Sequence, residues 1–112
     1  VTTALAPAIR AAIDEAAALT RVRPSPTELA EVADRLRAHI DALLPAAEED
    51  AGRLWRGGVD WISRRGHLDR IRDRRHSDLA VGPRAARLAV ADLRRDCEWL
   101  LERYGRADGE AG

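Results

Sequence analysis

Apolar residues recur along the chain at helical intervals in four stretches. In the first, about residues 4–20, Leu5, Ile9, Ala12, Ala16 and Leu19 step by 4-3-4-3, and Ile13 widens the stripe. Such spacing puts the side chains on one face of a helix. Pro7 suits the first turn, where a missing N–H does least harm. Arg21-Val22-Arg23-Pro24 then ends the pattern. The second stretch opens on Ser25-Pro26-Thr27-Glu28. The Ser hydroxyl can accept an orphan N–H, Pro fits the first helical position, and the Glu can reach back to the cap. Leu29, Ala33, Leu36, Ile40, Leu43 and Ala47 follow at 4-3-4-3-4 spacing.

Pro45 interrupts that run. It cannot donate to the carbonyl of Asp41, so a kink or break is expected there. Beyond it, Leu44, Ala47, Ala51 and Leu54 form a shifted stripe that leaves Asp50 on the flank. An unbroken helix from Pro26 to Trp55 would run about 45 Å, long for a domain whose radius of gyration should be about 13 Å. Gly57-Gly58 closes the stretch. The third pattern, about Val59 to Arg75, is thin: Val59, Trp61, Ile62, Leu68 and Ile71, with Gly66 in its middle. The fourth opens at Gly82-Pro83. Ala86, Val90, Leu93, Cys97, Leu100 and Tyr104 repeat at 4-3-4-3-4, Leu101 broadens the face, and Gly105 suits the C′ position. No internal repeat and no strand-like alternation is present. The expectation is an all-α fold, a small bundle of about four helices with a Pro45 kink or break in the long second helix.

Length and composition set bounds on this picture. The chain has 112 residues, enough for one core without staples. We read one helical-bundle domain over residues 1–106 and a frayed polar tail at 107–112. Cys97 is the single cysteine, so no disulfide framework and no cysteine metal cage is expected. Val1 to Ala18 lacks a basic n-region and carries Arg10, Asp14 and Glu15 at helical intervals, which is unlike a secretory signal. No uncharged run approaches the roughly 20 residues of a membrane span. These features point to the cytoplasm.

The formal charge is zero, from 19 basic residues, all Arg, against 19 acids. There is no Lys, Asn, Gln, Phe or Met, as a GC-rich coding bias would produce. The zero hides an uneven distribution. Residues 1–52 hold 5 Arg and 9 acids, residues 53–75 hold 8 Arg and 3 Asp, and residues 76–112 hold 6 Arg and 7 acids. The sums are −4, +5 and −1.

Two stretches carry a family resemblance. One is Leu36-Arg37-Ala38-His39 through Leu43-Leu44-Pro45-Ala46-Ala47-Glu48. The other is Pro83 through Tyr104, with Ala-Arg-Leu-Ala at Ala86 to Ala89 and Trp99 to Tyr104 near its end. Over roughly residues 25–106 the chain resembles an actinomycete family of small helical proteins of unknown function, catalogued as natural-product biosynthesis proteins. The resemblance implies a setting in specialised metabolism and supplies no catalytic residues. Leu36-Arg37 followed by Ile40-Asp41 is also faintly similar to the opening helix of helical chorismate mutases. Those enzymes usually use Lys and Gln besides Arg, and this chain has neither.

The basic middle is where chemistry is sought. Arg64, Arg65, Arg72 and Arg75 can share one side of the third helix. Guanidinium forks bind carboxylate and phosphate bidentately. The same Arg residues could instead pair with Asp60, Asp69, Asp73 and the acidic second helix. Trp55 and Trp61 bracket Gly57-Gly58 and could wall a cleft at a bundle end. Trp99 lies off the Leu93–Cys97–Leu100 seam, as a residue at a rim or dimer contact would. His67, with Asp50 or Asp69, could move a proton. Asp69, Asp73 and His76 share a helix edge, but neighbouring Arg residues would repel a cation and no Glu-x-x-His pair is present, so no metal is expected. Cys97 reads as a buried small hydrophobe. No phosphate loop, serine nucleophile or nucleic-acid-binding signature appears, and no cofactor is expected. The reading is a binding or accessory protein that recognises an anionic small molecule or an acidic partner, such as a carrier protein, with a homodimer possible. The alternative is a small helical enzyme of cyclase, lyase or mutase type acting on an anionic substrate.

Overall fold

Ser25 and Glu28 close a reciprocal cap. The Glu28 N–H donates to Ser25 Oγ at 3.1 Å, and the Ser25 N–H donates to Glu28 Oε1 at 2.9 Å. With Pro26 at the first position, this starts the longest of four helices in the computed structural model, which describes residues 5–19, 21–76 and 82–105. The helices are α1 (Leu5–Leu19), α2 (Pro26–Gly52), α3 (Val59–His76) and α4 (Pro83–Tyr104). The described residues hold no strand. The chain is an all-α bundle. The expected tail at 107–112 lies outside the described residues.

Helices α2 and α4 form the central pair. Both α1 and α3 pack on that pair, and they do not meet each other among the described residues. The core is the set of faces read from spacing. Ile9, Ala12, Ile13 and Ala16 come from α1, Leu29, Leu36, Ile40 and Leu43 from α2, and Val90, Leu93, Cys97 and Leu100 from α4. Each fully buried Leu or Ile contributes about 1.5–3 kcal/mol by leaving water.

Helix α2 runs through Pro45 as one element of 27 residues, so the expected break is not there. The Pro45 ring sits on an exposed position, where no neighbouring helix has to make room for it. Its length of about 40 Å matches the longest dimension of the molecule, 44 Å, in a body of 44 × 31 × 18 Å. The radius of gyration, 14.8 Å, exceeds that of a sphere-like domain because the bundle is long and flat. The shifted stripe holds: Leu44, Ala47 and Ala51 are buried, Asp50 is on the flank, and Leu54 lies past the helix end.

Helix α3 buries only Leu68 and Ile71 completely, while Val59 and Ile62 face solvent. The turn before it needs Gly57 at φ 85°, a left-handed conformation that favours glycine. Gly105 differs from its expected C′ role. It is the C-cap of α4, with φ −68°, in the right-handed region. Glycine is required there for space, because a Cβ would lie 2.7 Å from the Leu101 carbonyl oxygen.

Candidate functional site

Arg64, Arg65, Arg72 and Arg75 of α3 do share a side, and that side is turned onto α2. Arg64 pairs with Asp50 at 2.9 Å, Arg65 with Glu48 at 2.8 Å and Arg75 with Asp41 at 2.6 Å. Arg72 also pairs with Glu48. Partner numbers fall as the Arg numbers rise, as antiparallel helices require. Asp69 supports Arg65 and Arg72 from the same helix. These side chains flank Leu68 and Ile71, so the basic stripe is how a helix with few apolar residues docks on an acidic one. Half-exposed pairs of this kind contribute about 0–1 kcal/mol each. Arg65, Arg72 and Arg75 are therefore engaged within the fold.

Arg64 is placed differently. Its Nη1 donates to Asp50 Oδ2 and also to the Tyr104 hydroxyl at 2.9 Å, and that hydroxyl donates to the same Asp50 oxygen at 3.1 Å. The triangle ties the C-terminal ends of α2 and α4 to the middle of α3. Burial raises the Tyr104 pKa, the Arg64 charge opposes that, and the bond to Asp50 adds to it. A cleft of about 480 Å³ opens over the triangle. Asp50, Arg64 and Tyr104 form its base, and Glu49, Arg53 and Arg103 stand around it. Arg53 is a mostly exposed side chain linked to Glu49 at 2.9 Å.

Arg103 makes no ion pair or hydrogen bond among the described residues. Its guanidinium lies 5.0 Å from the centre of the Trp99 ring, a cation–π contact. Trp99 is partly buried against the core, with its ring centre 4.2 Å from that of His67 and 6.0 Å from that of Tyr104. Arg64 approaches the same indole at 5.9 Å. His67 has a lowered pKa, first because burial disfavours its charge. Asp96 opposes the shift, and Arg70, Arg74 and Arg103 add to it.

Over residues 5–109 the sequence matches DUF6415, a family of unknown function. The chain belongs to DUF6415. Neither the curated proteins nor the solved structures compared with it give a match. The site of this DUF6415 chain is thus read from its own geometry.

That geometry separates the expected residues. Asp50 and Arg64 meet in the cleft, while His67 does not line it and lies tilted at 55° against Trp99 instead. Trp55 is 87% exposed in the α2–α3 turn, and neither it nor Trp61 lines the cleft. The side chain of His76 lies outside the described residues. Among those residues, no group of three or more metal-ligating side chains converges. No described helix is long and apolar enough to cross a membrane.

Sequence reasoning missed Arg53, Arg103 and Tyr104 as cleft residues. It also missed Asp96, a buried carboxylate at 4% exposure, gripped by Arg74. Its signal was present: position 96 lies three residues after Leu93 and four before Leu100, inside the apolar stripe. An acid on such a stripe needs a buried partner, and α3 is rich in candidates.

Proposed function

We propose that this DUF6415 chain is a small helical binding protein that takes an anionic small molecule, a carboxylate or a phosphate, in the cleft formed by α2, α3 and the end of α4. The observation that carries this reading is Arg103. It stands at the cleft with no carboxylate partner among the described residues, and it is held over Trp99. Below it, Arg64 is locked by Asp50 and Tyr104, so a second guanidinium is already oriented when a ligand arrives. Arg53, joined among the described residues to an exposed Glu49 alone, can turn to a ligand at small cost. A pre-oriented guanidinium beside a movable one suits bidentate recognition of a planar carboxylate or a phosphate.

The reading narrows the partner from an acidic protein to a small molecule, because Arg65, Arg72 and Arg75 are matched to carboxylates of their own chain. It favours binding over catalysis, because the His67 imidazole does not line the cleft. The resemblance to an actinomycete family catalogued with natural-product biosynthesis suggests specialised metabolism as the setting, and a lone buried cysteine fits a reduced cytoplasm. Native mass spectrometry of the protein purified from a producing strain tests this. A small acidic molecule should co-purify with the wild type and be lost from Arg103→Ala. A bare protein, or a molecule retained equally by the variant, overturns the reading.

A further inference from the structure

The base of the cleft holds a carboxylate as well as a guanidinium, and this limits which anions suit it. Arg64 Nη1 and the Tyr104 hydroxyl both donate to one oxygen, Asp50 Oδ2, at 2.9 and 3.1 Å. The other oxygen, Asp50 Oδ1, has no partner among the described residues. The Asp50 side chain is 45% exposed and lines the cleft. An ionised carboxylate can only accept hydrogen bonds. Oδ1 is therefore an open acceptor beside the place where a bound acid would rest on Arg64.

The charges of the lining sharpen the point. Three guanidiniums, Arg53, Arg64 and Arg103, stand against two carboxylates, Glu49 and Asp50, so the cleft carries one surplus positive charge. Arg64 is matched to Asp50 and Arg53 to Glu49, which leaves the surplus on Arg103. A ligand of net charge −1 balances it. A plain monocarboxylate meets that count, but seated on Arg64 it would lie against Asp50 and be repelled. A plain dicarboxylate overshoots the count and meets the same repulsion. An ammonium group next to the acid reverses the sign of that contact, because it donates to Oδ1.

We propose that the cleft takes an acidic amino acid, a small molecule with two acid groups and one protonated amine, and that Asp50 Oδ1 holds the amine. This rests on the reading of the cleft as an anion site and selects among anions. Two acid groups and one ammonium sum to −1, the charge the lining lacks. Two acid groups also suit two guanidiniums fixed near each other: Arg64 and Arg103 lie 5.9 and 5.0 Å from the centre of the same Trp99 ring. The volume of about 480 Å³ is within the usual range for small-molecule sites, about 300–1,000 Å³.

Calorimetric titration of the full chain with two matched pairs tests the proposal: aspartate against succinate, and glutamate against glutarate. Within each pair only the amine differs. In the wild type, at least one amino diacid should bind about tenfold or more tighter than its match. Asp50→Asn keeps an oxygen for Arg64 and Tyr104 and puts a donor where Oδ1 was. It should bring that ratio close to one while the plain diacid binds as well as before or better, with circular dichroism showing an intact fold. The wild-type comparison needs no variant, so it decides even if the substitution unsettles the fold. Equal binding within both pairs overturns this inference and leaves the anion reading standing. A preference that persists in Asp50→Asn overturns it too, because another group then holds the amine. Binding of none of the four overturns it as well, and inorganic phosphate, titrated alongside, then judges the anion reading separately.

Discussion

Arg74 grips Asp96 through two parallel hydrogen bonds, Nε to Oδ2 at 2.7 Å and Nη2 to Oδ1 at 2.6 Å. The pair joins α3 to the core face of α4. The Asp96 side chain is only 5% exposed, while that of Arg74 reaches solvent. The hydrogen bond to Asp96 raises the Arg74 pKa, against the burial that lowers it. Removing the guanidinium strands a carboxylate in an apolar seam. We expect Arg74→Ala to cost about 2–3 kcal/mol, below the cost for a fully buried pair because water reaches the Arg. Asp96→Leu should cost less, since it leaves an exposed Arg rather than a buried charge. Urea unfolding of both variants checks the order.

The acid limb of the stability curve should carry the two partly buried histidines. His39 and His67 both titrate below the ordinary value of 6.5, burial being the first cause in each, with Arg35 adding to it at His39. As pH falls through 6.5, the unfolded chain takes up these protons before the folded one does. Stability is therefore present above 6.5 and is lost as pH drops toward the folded pKa values. NMR should place both midpoints below 6.5. His67→Phe, which keeps a ring on Trp99, should lose less of its melting temperature between neutral pH and pH about 5.

Tyr104 adds to an alkaline limb that the buried Cys97 thiol, pushed from 9.0 up to about 12, opens first. The raised tyrosine pKa means the unfolded chain ionises first as pH climbs past the ordinary 10.0, so stability falls further above about that value. Tyr104→Phe removes two hydrogen bonds and leaves Asp50 with Arg64. A loss of about 1 kcal/mol at neutral pH is expected, together with a flatter alkaline limb in thermal melts.

Pro45 interrupts the hydrogen-bond ladder of α2 without breaking the helix. Pro45→Ala supplies the missing donor for the Asp41 carbonyl at an exposed position. The net gain should be about 1–2 kcal/mol, because the unfolded chain also regains freedom. Calorimetry should show a melting temperature several degrees higher. An unchanged or lower value would contradict the continuous helix.

How far the sequence reached varies by element. The faces of α1, α2 and α4 were legible because each is a run of apolar residues at 3.6-residue period, which no other structure tolerates. The thin pattern of α3 was an equally direct consequence of its packing. It docks on α2 through guanidinium–carboxylate pairs around Leu68 and Ile71, and apolar periodicity does not register such an interface. Of the kink or break expected at Pro45, the break does not occur, because overall shape, and not local chemistry, decides whether a helix of about 40 Å fits. In the site, Arg64 and Asp50 were legible as members of charged runs. Arg103 and Tyr104 were not, because their value comes from the end of α4 meeting the end of α2, a juxtaposition that spacing along one helix does not encode. Cys97, burial pushing its thiol to about 12, reads as the packing residue its place on the seam implies.

The cleft account rests on Arg103, and arginine side-chain NMR tests it most directly. Inorganic phosphate and simple mono- and dicarboxylates are titrated into the protein while the Nε–Hε signals are followed. The account predicts saturable shifts at Arg103, Arg53 and Arg64 for at least one of these anions. It predicts none at Arg65, Arg72 or Arg75, and loss of saturation in Arg103→Ala. Shifts at all arginines alike, or a response unchanged by Arg103→Ala, would contradict it.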